Sequence, residues 1–387
     1  MAKRGHGEGS LYKRSNGTYR AQVTIEGNRV GKTFKLRKDA QDWISTINGQ
    51  VKQGLTYNSA KTTVDELLTE WLKLKATMSR PATQESYQRM ARLYISPAMG
   101  RLKLQEVSAA RIQKFYSDLE KRGIGKRTIE NTHTVLYGFL KFANGLSLTA
   151  QNWAGFVVVP RPEKREMKVW DESQVSLFLQ FVNSDPFYRL AFSTGMRRGE
   201  LLGLQWKDLD WNTGQLHVRR QVYRPEGGGF IFQTPKTDKG TRGIRLGKGM
   251  LEALRIQYNN TIPLMQAIAG NDWQEYDLMF PSTRGTPRDG YTVSKEFHHL
   301  VEKAGLPIIR FHDIRHTVAS IMLLHGEPSV RVAGILGQTV QVLLSTYSHW
   351  IPDNQETAAI LMDEITTPAS FQITEKSTLH PIAPENQ

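Results

Sequence analysis

The sequence predicts a multidomain, mainly α fold. It has a small β-sheet plus one helix at the N-terminus, then a four-helix unit, then an α-rich domain with one small antiparallel sheet. Three observations predict it. Apolar residues recur at helical spacing through most of 63–143 and 171–347, while strict alternation is confined to 10–34 and 215–246. Two junctions, 53–59 and 157–168, are polar or proline-bearing and charged. The 387 residues suffice for two or three domains with sizeable cores.

Charge narrows the partner. Lys and Arg number 51 against 37 Asp and Glu, giving a net +14. Residues 1–60 alone hold 11 Lys/Arg and 4 Asp/Glu, so half of that excess (+7) sits in less than a sixth of the chain. Such a balance suits a polyanion. With no Cys there is neither a disulfide nor a thiolate metal site, and a reducing cytoplasm is compatible. No apolar run approaches membrane-spanning length, and no apolar segment follows the basic Lys3-Arg4 to make a secretory signal.

Taken in order, Ser10 to Lys13, Thr18 to Ile25 and Arg29 to Phe34 read as strands. Asn16-Gly17 and Glu26-Gly27-Asn28 are the turns between them. Asp39 to Val51 is a helix with Trp43, Ile44 and Ile47 on one side. Tyr12, Tyr19, Arg20, Arg29, Lys32 and Lys35 are expected to line the open face of this sheet, where basic strands can enter a major groove. After the linker, Thr63 and Glu66 form a capping box for a first helix. A second runs from Thr83 to Ile95, with Ser96-Pro97-Ala98-Met99-Gly100 as its stop. Ser108 caps a third through Leu119, and Lys126 to Ala143 is the fourth. Arg122, Lys126 and Arg127, between the last two, are candidate phosphate contacts.

Beyond the charged linker 157–168, Asp171 opens a helix to Val182, and Asp185 to Ser193 makes another. Leu201 to Trp206 continues after an arginine pair. One sheet is expected from Gln215 to Tyr223, Phe230 to Thr234 and Gly243 to Leu246, with Gly227-Gly228-Gly229 and Pro235 to Gly240 as turns. Lys248 to Asn259 and Tyr291 to Ala304 are helices, and Leu278 to Pro281 is 3₁₀-like. Asp353 to Asp363 reads as an amphipathic helix, and residues 369–387 as a flexible polar tail.

Three short segments carry chemistry. Phe311-His312-Asp313-Ile314-Arg315-His316 opens a helix in which His312 and Arg315, three apart, share a face. An imidazole beside a guanidinium is a poor core pair but a good grip for phosphate. Upstream stands Thr194-Gly195-Met196-Arg197-Arg198-Gly199-Glu200. Downstream, Leu336-Gly337-Gln338 precedes Tyr347 by nine residues, counted from Gln338. Together they suit attack of a phenol on a phosphodiester.

This order and spacing resemble the tyrosine recombinase family, or phage integrases, from about Thr62 to Asp363. The family pattern is an Arg in a TGxR-GEL segment, a Lys on a β-turn, an HxxR box, an LGH box and a Tyr nine residues on. The resemblance implies a tyrosine recombinase fold: residues 1–58 as an arm-type DNA-binding domain, 62–156 as a core-binding helical domain, 157–168 as linker and 169–368 as catalytic domain. It further implies Arg197, His312, Arg315, Gln338 and Tyr347 as catalytic residues, with Lys236 as general acid and Lys239 as its alternative. Glu200 would brace an arginine or the loop, and His316 is expected to be structural. Tyr347 would form a 3′-phosphotyrosyl link to DNA, without cofactor or metal. The partners implied are double-stranded attachment sites and a homotetramer on DNA, with a host DNA-bending or excision factor possible. The setting would be cytoplasmic and nucleoid-associated. One departure stands out: Gln338 occupies the place usually held by His. That keeps a catalytically weak DNA-binding protein in view, beside a type IB-like topoisomerase.

Overall fold

A computed structural model describes residues 9–25, 28–52, 61–163, 167–235, 240–350, 359–360, 362 and 365–366. It divides into two compact units, Met1–Glu166 with Pro225–Gly228, and Met167–Arg224 with Gly229–Gln387.

The first unit begins with an antiparallel sheet in the order β1 (Ser10–Lys13), β2 (Tyr19–Ile25), β3 (Asn28–Phe34). Helix α1 (Arg37–Lys52) covers one face, where Val23, Ile25 and Ile47 are buried with Val30, Trp43 and Ile44 against them. The two-residue period of a strand decides which cations share a face. Arg20 pairs with Thr33 and Thr24 with Arg29, so Arg20 and Arg29 lie on the open side. Lys32 pairs with Ala21 and therefore takes the same side as Val23 and Val30. It ends in an ion pair with Glu106 at 3.1 Å. The expectation of one basic face including Lys32 is thus corrected.

The helical part follows. In α2 (Val64–Met78), Thr63 and Glu66 close the expected capping box, with Thr63 N–H donating to Glu66 at 2.7 Å. Its apolar stripe Val64, Leu67, Leu68 and Trp71 is buried against α5 (Ala109–Lys121) and α6 (Lys126–Gly145), joined by α3 (Pro81–Met90). The second helix does not end at Ile95 as expected, and only the last residue of the expected stop segment ends it. A π-helical turn, Ala91–Ile95, leads straight into α4 (Ser96–Met99), and the chain turns away only at Gly100. Proline lacks an N–H, and the wide turn before it accommodates that loss without ending the helix.

The second unit is built on an aromatic cluster. Trp170, Phe178, Phe187, Tyr188, Phe192, Phe297 and Phe311 are all buried together. They come from α7 (Glu172–Phe181), α8 (Pro186–Thr194), α12 (Gly290–Lys303) and the residues leading into these helices and the HxxR box. A short α9 (Arg198–Leu202) begins at the arginine pair, earlier than the expected Leu201 start. The β region is two sheets, not one. β4 (Leu209–Asp210), β5 (Gln215–Val218) and β8 (Arg242–Arg245) form the first; β6 (Gln221–Tyr223) and β7 (Ile231–Gln233) form a separate hairpin. The break falls at Arg219-Arg220, where Arg220 turns back to donate to buried Asp208 at 2.5 Å. α10 (Lys248–Ile256) passes through a π turn into α11 (Ile262–Ala269), which lies beyond the helix expected to end at Asn259. Leu278 and Pro281 form isolated β-bridges to Gln205 and Pro287 instead of a 3₁₀ turn. α13 (Asp313–Leu324), α14 (Ser329–Leu336) and α15 (Val340–Tyr347) complete the unit. The helix expected over 353–363 falls largely outside the described residues, as does the 369–387 tail. No described helix is long and apolar enough to cross a membrane.

Candidate active site

Two left-handed glycines set the site. α8 ends in Gly195 (φ 58°) and α14 in Gly337 (φ 66°). Each C-cap turns a backbone carbonyl toward an arginine. Gly195 O accepts from Arg315 Nη1 at 3.1 Å, and Gly337 O accepts from Arg197 Nη2 at 3.2 Å. Glycine is required on two counts, since positive φ disfavours a side chain and the space is taken. A Cβ on Gly195 would come within 2.6 Å of Leu336, and one on Gly337 within 2.8 Å of Arg242 Nη1.

Arg197 caps α9 and bonds Glu200 through its backbone N–H at 3.0 Å and Nη1 at 2.9 Å. Glu200 is 1% exposed and takes a second guanidinium on its other oxygen, Arg242 Nη2 at 2.9 Å. Its expected bracing role is what the geometry shows. Burial alone would raise the Glu200 pKa, but the Arg242 hydrogen bond and the charges of Arg242 and Arg197 outweigh it and hold the carboxylate low. The neighbouring Arg198 turns elsewhere, to Ser294, which separates the two adjacent arginines.

Arg242 was not singled out from sequence. It donates from Nε to Ile335 O at 2.6 Å and from Nη1 to Gly240 O at 3.0 Å, and so ties β8 to α14. The available signal was the strand period: Arg242 is two residues from buried Ile244 and shares its inward face.

Arg315 is 3% exposed. Burial first, then the charges of Arg197 and Arg242, lower its pKa to about 10, so it stays cationic at neutral pH. Its Nη2 donates to Gln338 Oε1 at 3.0 Å. That bond orients the carboxamide, because the NH₂ end cannot accept. Gln338 Nε2 is then left buried with no hydrogen-bond partner, a donor beside an arginine cluster.

His312 stands at the start of α13 with its ring partly open to solvent. Desolvation, then His316 and Arg315, push its pKa down to about 4, so the imidazole is neutral near pH 7. Asp313 is held by Arg310 at 2.7 Å. Tyr347 ends α15 buried among Ala319, Leu323, Val332, Ala333, Leu336 and Leu343. Burial raises the phenol to about 12 against the lowering charge of Arg315. Its hydroxyl meets His316 Nδ1 at 2.5 Å.

Lys236 and Lys239 both lie outside the described residues, so neither gains support over the other. In the first unit, Arg20 bonds Thr33 across the sheet, and Arg29 and Lys35 are exposed. At the α5–α6 turn Arg122 is exposed, Lys126 stands 4.0 Å from Glu163, and Arg127 pairs with Glu130 at 2.6 Å.

Residues 168–351 match the phage integrase family, and residues 63–119 match the phage integrase N-terminal SAM-like domain. The chain belongs to the phage integrase family. It is an enzyme of the tyrosine site-specific recombinase type. Among its relatives, a tyrosine recombinase XerC-like protein of Caldanaerobacter subterraneus subsp. tengcongensis is 26% identical over 376 residues, spanning 90% of this chain and 96% of the relative. The ICEBs1 integrase of Bacillus subtilis is 23% identical, spanning 92% of this chain and all of the relative. In fold, this integrase is similar to the Tn1549 transposon integrase in complex with circular intermediate DNA. The TM-score is 0.65 at 20% identity, over 79% of this chain and all of that one. It is also similar to the lambda integrase tetramer bound to a Holliday junction, at TM-score 0.53 and 18% identity, over 88% of this chain and 96% of that one.

Proposed function

We propose that this phage integrase cuts and rejoins double-stranded attachment sites of a phage or mobile element, with Tyr347 as the nucleophile. The observation that carries the reading is the Arg197–Glu200–Arg242 and Arg315–Gln338 constellation, in the same unit as Tyr347. Arg197 and Arg315 donate to the two non-bridging oxygens, and Gln338 Nε2 adds a neutral donor. Such donors, fixed before the reaction, favour the charge that builds on the phosphorane. Neutral His312 donates to a phosphate oxygen and adds no positive charge. A lysine of the 235–240 segment, Lys236 ahead of Lys239 for its Pro-Lys-Thr setting, protonates the leaving 5′-oxygen.

Residues 62–156 would grip the core site, with Arg122, Lys126 and Arg127 on phosphates. Residues 1–58 would bind outer sites through Arg20, Arg29 and Lys35, and 169–368 would hold the chemistry. The assembly on DNA would be a homotetramer, as in the lambda integrase complex, acting in the nucleoid with a host bending or excision factor.

Tyr347→Phe tests the reading. It should bind the site as tightly as the unaltered enzyme and yield no covalent adduct on a nicked suicide duplex. An adduct with the phenylalanine variant would remove Tyr347 from its role. No adduct from the unaltered enzyme would instead leave a DNA-binding protein of this fold with lost catalysis.

A further inference from the structure

The bond between Tyr347 and His316 is not used by the reading above. Tyr347 Oη lies 2.5 Å from His316 Nδ1. The two rings have centroids 5.6 Å apart. Tyr347 is 2% exposed, so bulk water has little access to its hydroxyl. A phenol that attacks phosphorus must give up its proton to something in contact with it. His312, by contrast, meets the edge of the His316 ring, with centroids 5.2 Å apart and planes nearly perpendicular. It sits one helical turn farther from the tyrosine segment in sequence.

The environment favours a neutral ring. Burial lowers the His316 pKa, and Arg310 and Arg315 lower it further against the opposing charge of Asp313. His312 also faces it, and Tyr347 is the titratable group that meets it from α15. With its proton on Nε2, a neutral ring offers Nδ1 as acceptor and the phenol donates.

We propose that His316 is the general base of this reaction, taking the Tyr347 proton on cleavage and returning it on rejoining. The inference rests on Tyr347 being the nucleophile. As the Oη–P bond forms, the Oη–H bond breaks and its proton passes to Nδ1. The P–O5′ bond breaks, and the 5′-oxygen takes a separate proton from the lysine proposed above as general acid. In rejoining, the 5′-hydroxyl attacks the phosphotyrosine, and Nδ1 returns its proton to the departing Oη. The imidazolium formed in between is opposed by the Asp313 carboxylate one turn earlier on α13.

The test is single-turnover cleavage of a nicked suicide duplex by full-length enzyme. It compares His316→Ala and His316→Asn, each with ordinary or difluorinated tyrosine at 347. Both variants with the ordinary phenol should keep DNA affinity and cut roughly 10²-fold or more slowly, the scale for losing a general base. The more acidic fluorinated phenol should recover most of that loss in either variant while changing the unaltered enzyme little. Asn keeps an acceptor near the Nδ1 position but is no base, and it serves alone if the Ala variant fails to fold. Wild-type cutting by either variant, or the same defect with both phenols, overturns the proposal. An adduct formed by Tyr347→Phe would instead refute the nucleophile and leave the base without a substrate.

Discussion

Gln338 shows how one residue divides its work between two atoms. Its oxygen fixes Arg315, and its nitrogen is free. Gln338→Ala should therefore slow cleavage by roughly 10²-fold, because it removes one donor and loosens a second. Gln338→His should speed it by up to about tenfold, equivalent to ~1.4 kcal/mol, since an imidazolium binds an anion more strongly than an amide does. Single-turnover rates on a suicide duplex check both, and equal rates for Gln, Ala and His would place the residue outside the reaction. At this scale the sequence was partly legible. The register of Arg197 against Arg198 was readable, because the TGxR pattern marks one of them, and the structure turns the other away to Ser294. Arg242 was not read, and His316 was read only as structural, because neither lies at a marked spacing. Each is found only by asking which face of its helix or strand it occupies.

Among the elements, the two helix ends at Gly195 and Gly337 matter most, since their carbonyls hold Arg315 and Arg197. Gly337→Ala places a methyl group against Arg242 in a left-handed backbone. It should cost about 1–3 kcal/mol of stability and slow cleavage as well; a thermal melt and a cleavage assay together report it. Glu200 gives a pH signature. Its folded pKa is depressed, so its contribution is present above the unfolded pKa and is lost as pH falls through the lower, folded one. Unfolding midpoints followed from neutral to acid pH should show that loss in the unaltered protein. Glu200→Gln should be less stable at neutral pH, where two cations lose their partner, and its acid limb should be flatter. Capping signals such as Thr63/Glu66, Ser108 and Asp171 were legible, because each satisfies helix N–H groups locally. The split of the β region was not, because it depends on Arg220 reaching Asp208, a contact between residues that sequence spacing does not link.

For the whole molecule, the mainly α fold class and the small sheets followed from periodicity and turn chemistry alone. Proline misled at Pro97, because a π turn lets the helix carry on through it. The basic N-terminal segment makes a separable prediction. Removing residues 1–58 takes the whole +7 of residues 1–60 with it and none of the proposed chemistry. Cleavage of an isolated core site should persist, while binding to a full attachment site should weaken and its salt dependence flatten as fewer phosphates are neutralised. An unchanged footprint and salt slope would count against an arm-type role. The central claim is that Tyr347 becomes joined to DNA. Its most direct measurement is to trap the unaltered enzyme on a suicide duplex, digest the adduct and locate the modified peptide by mass spectrometry. The account predicts a nucleotide on Tyr347 alone, attached through its 3′-phosphate. A nucleotide on any other residue, or a 5′-linked one, would contradict it.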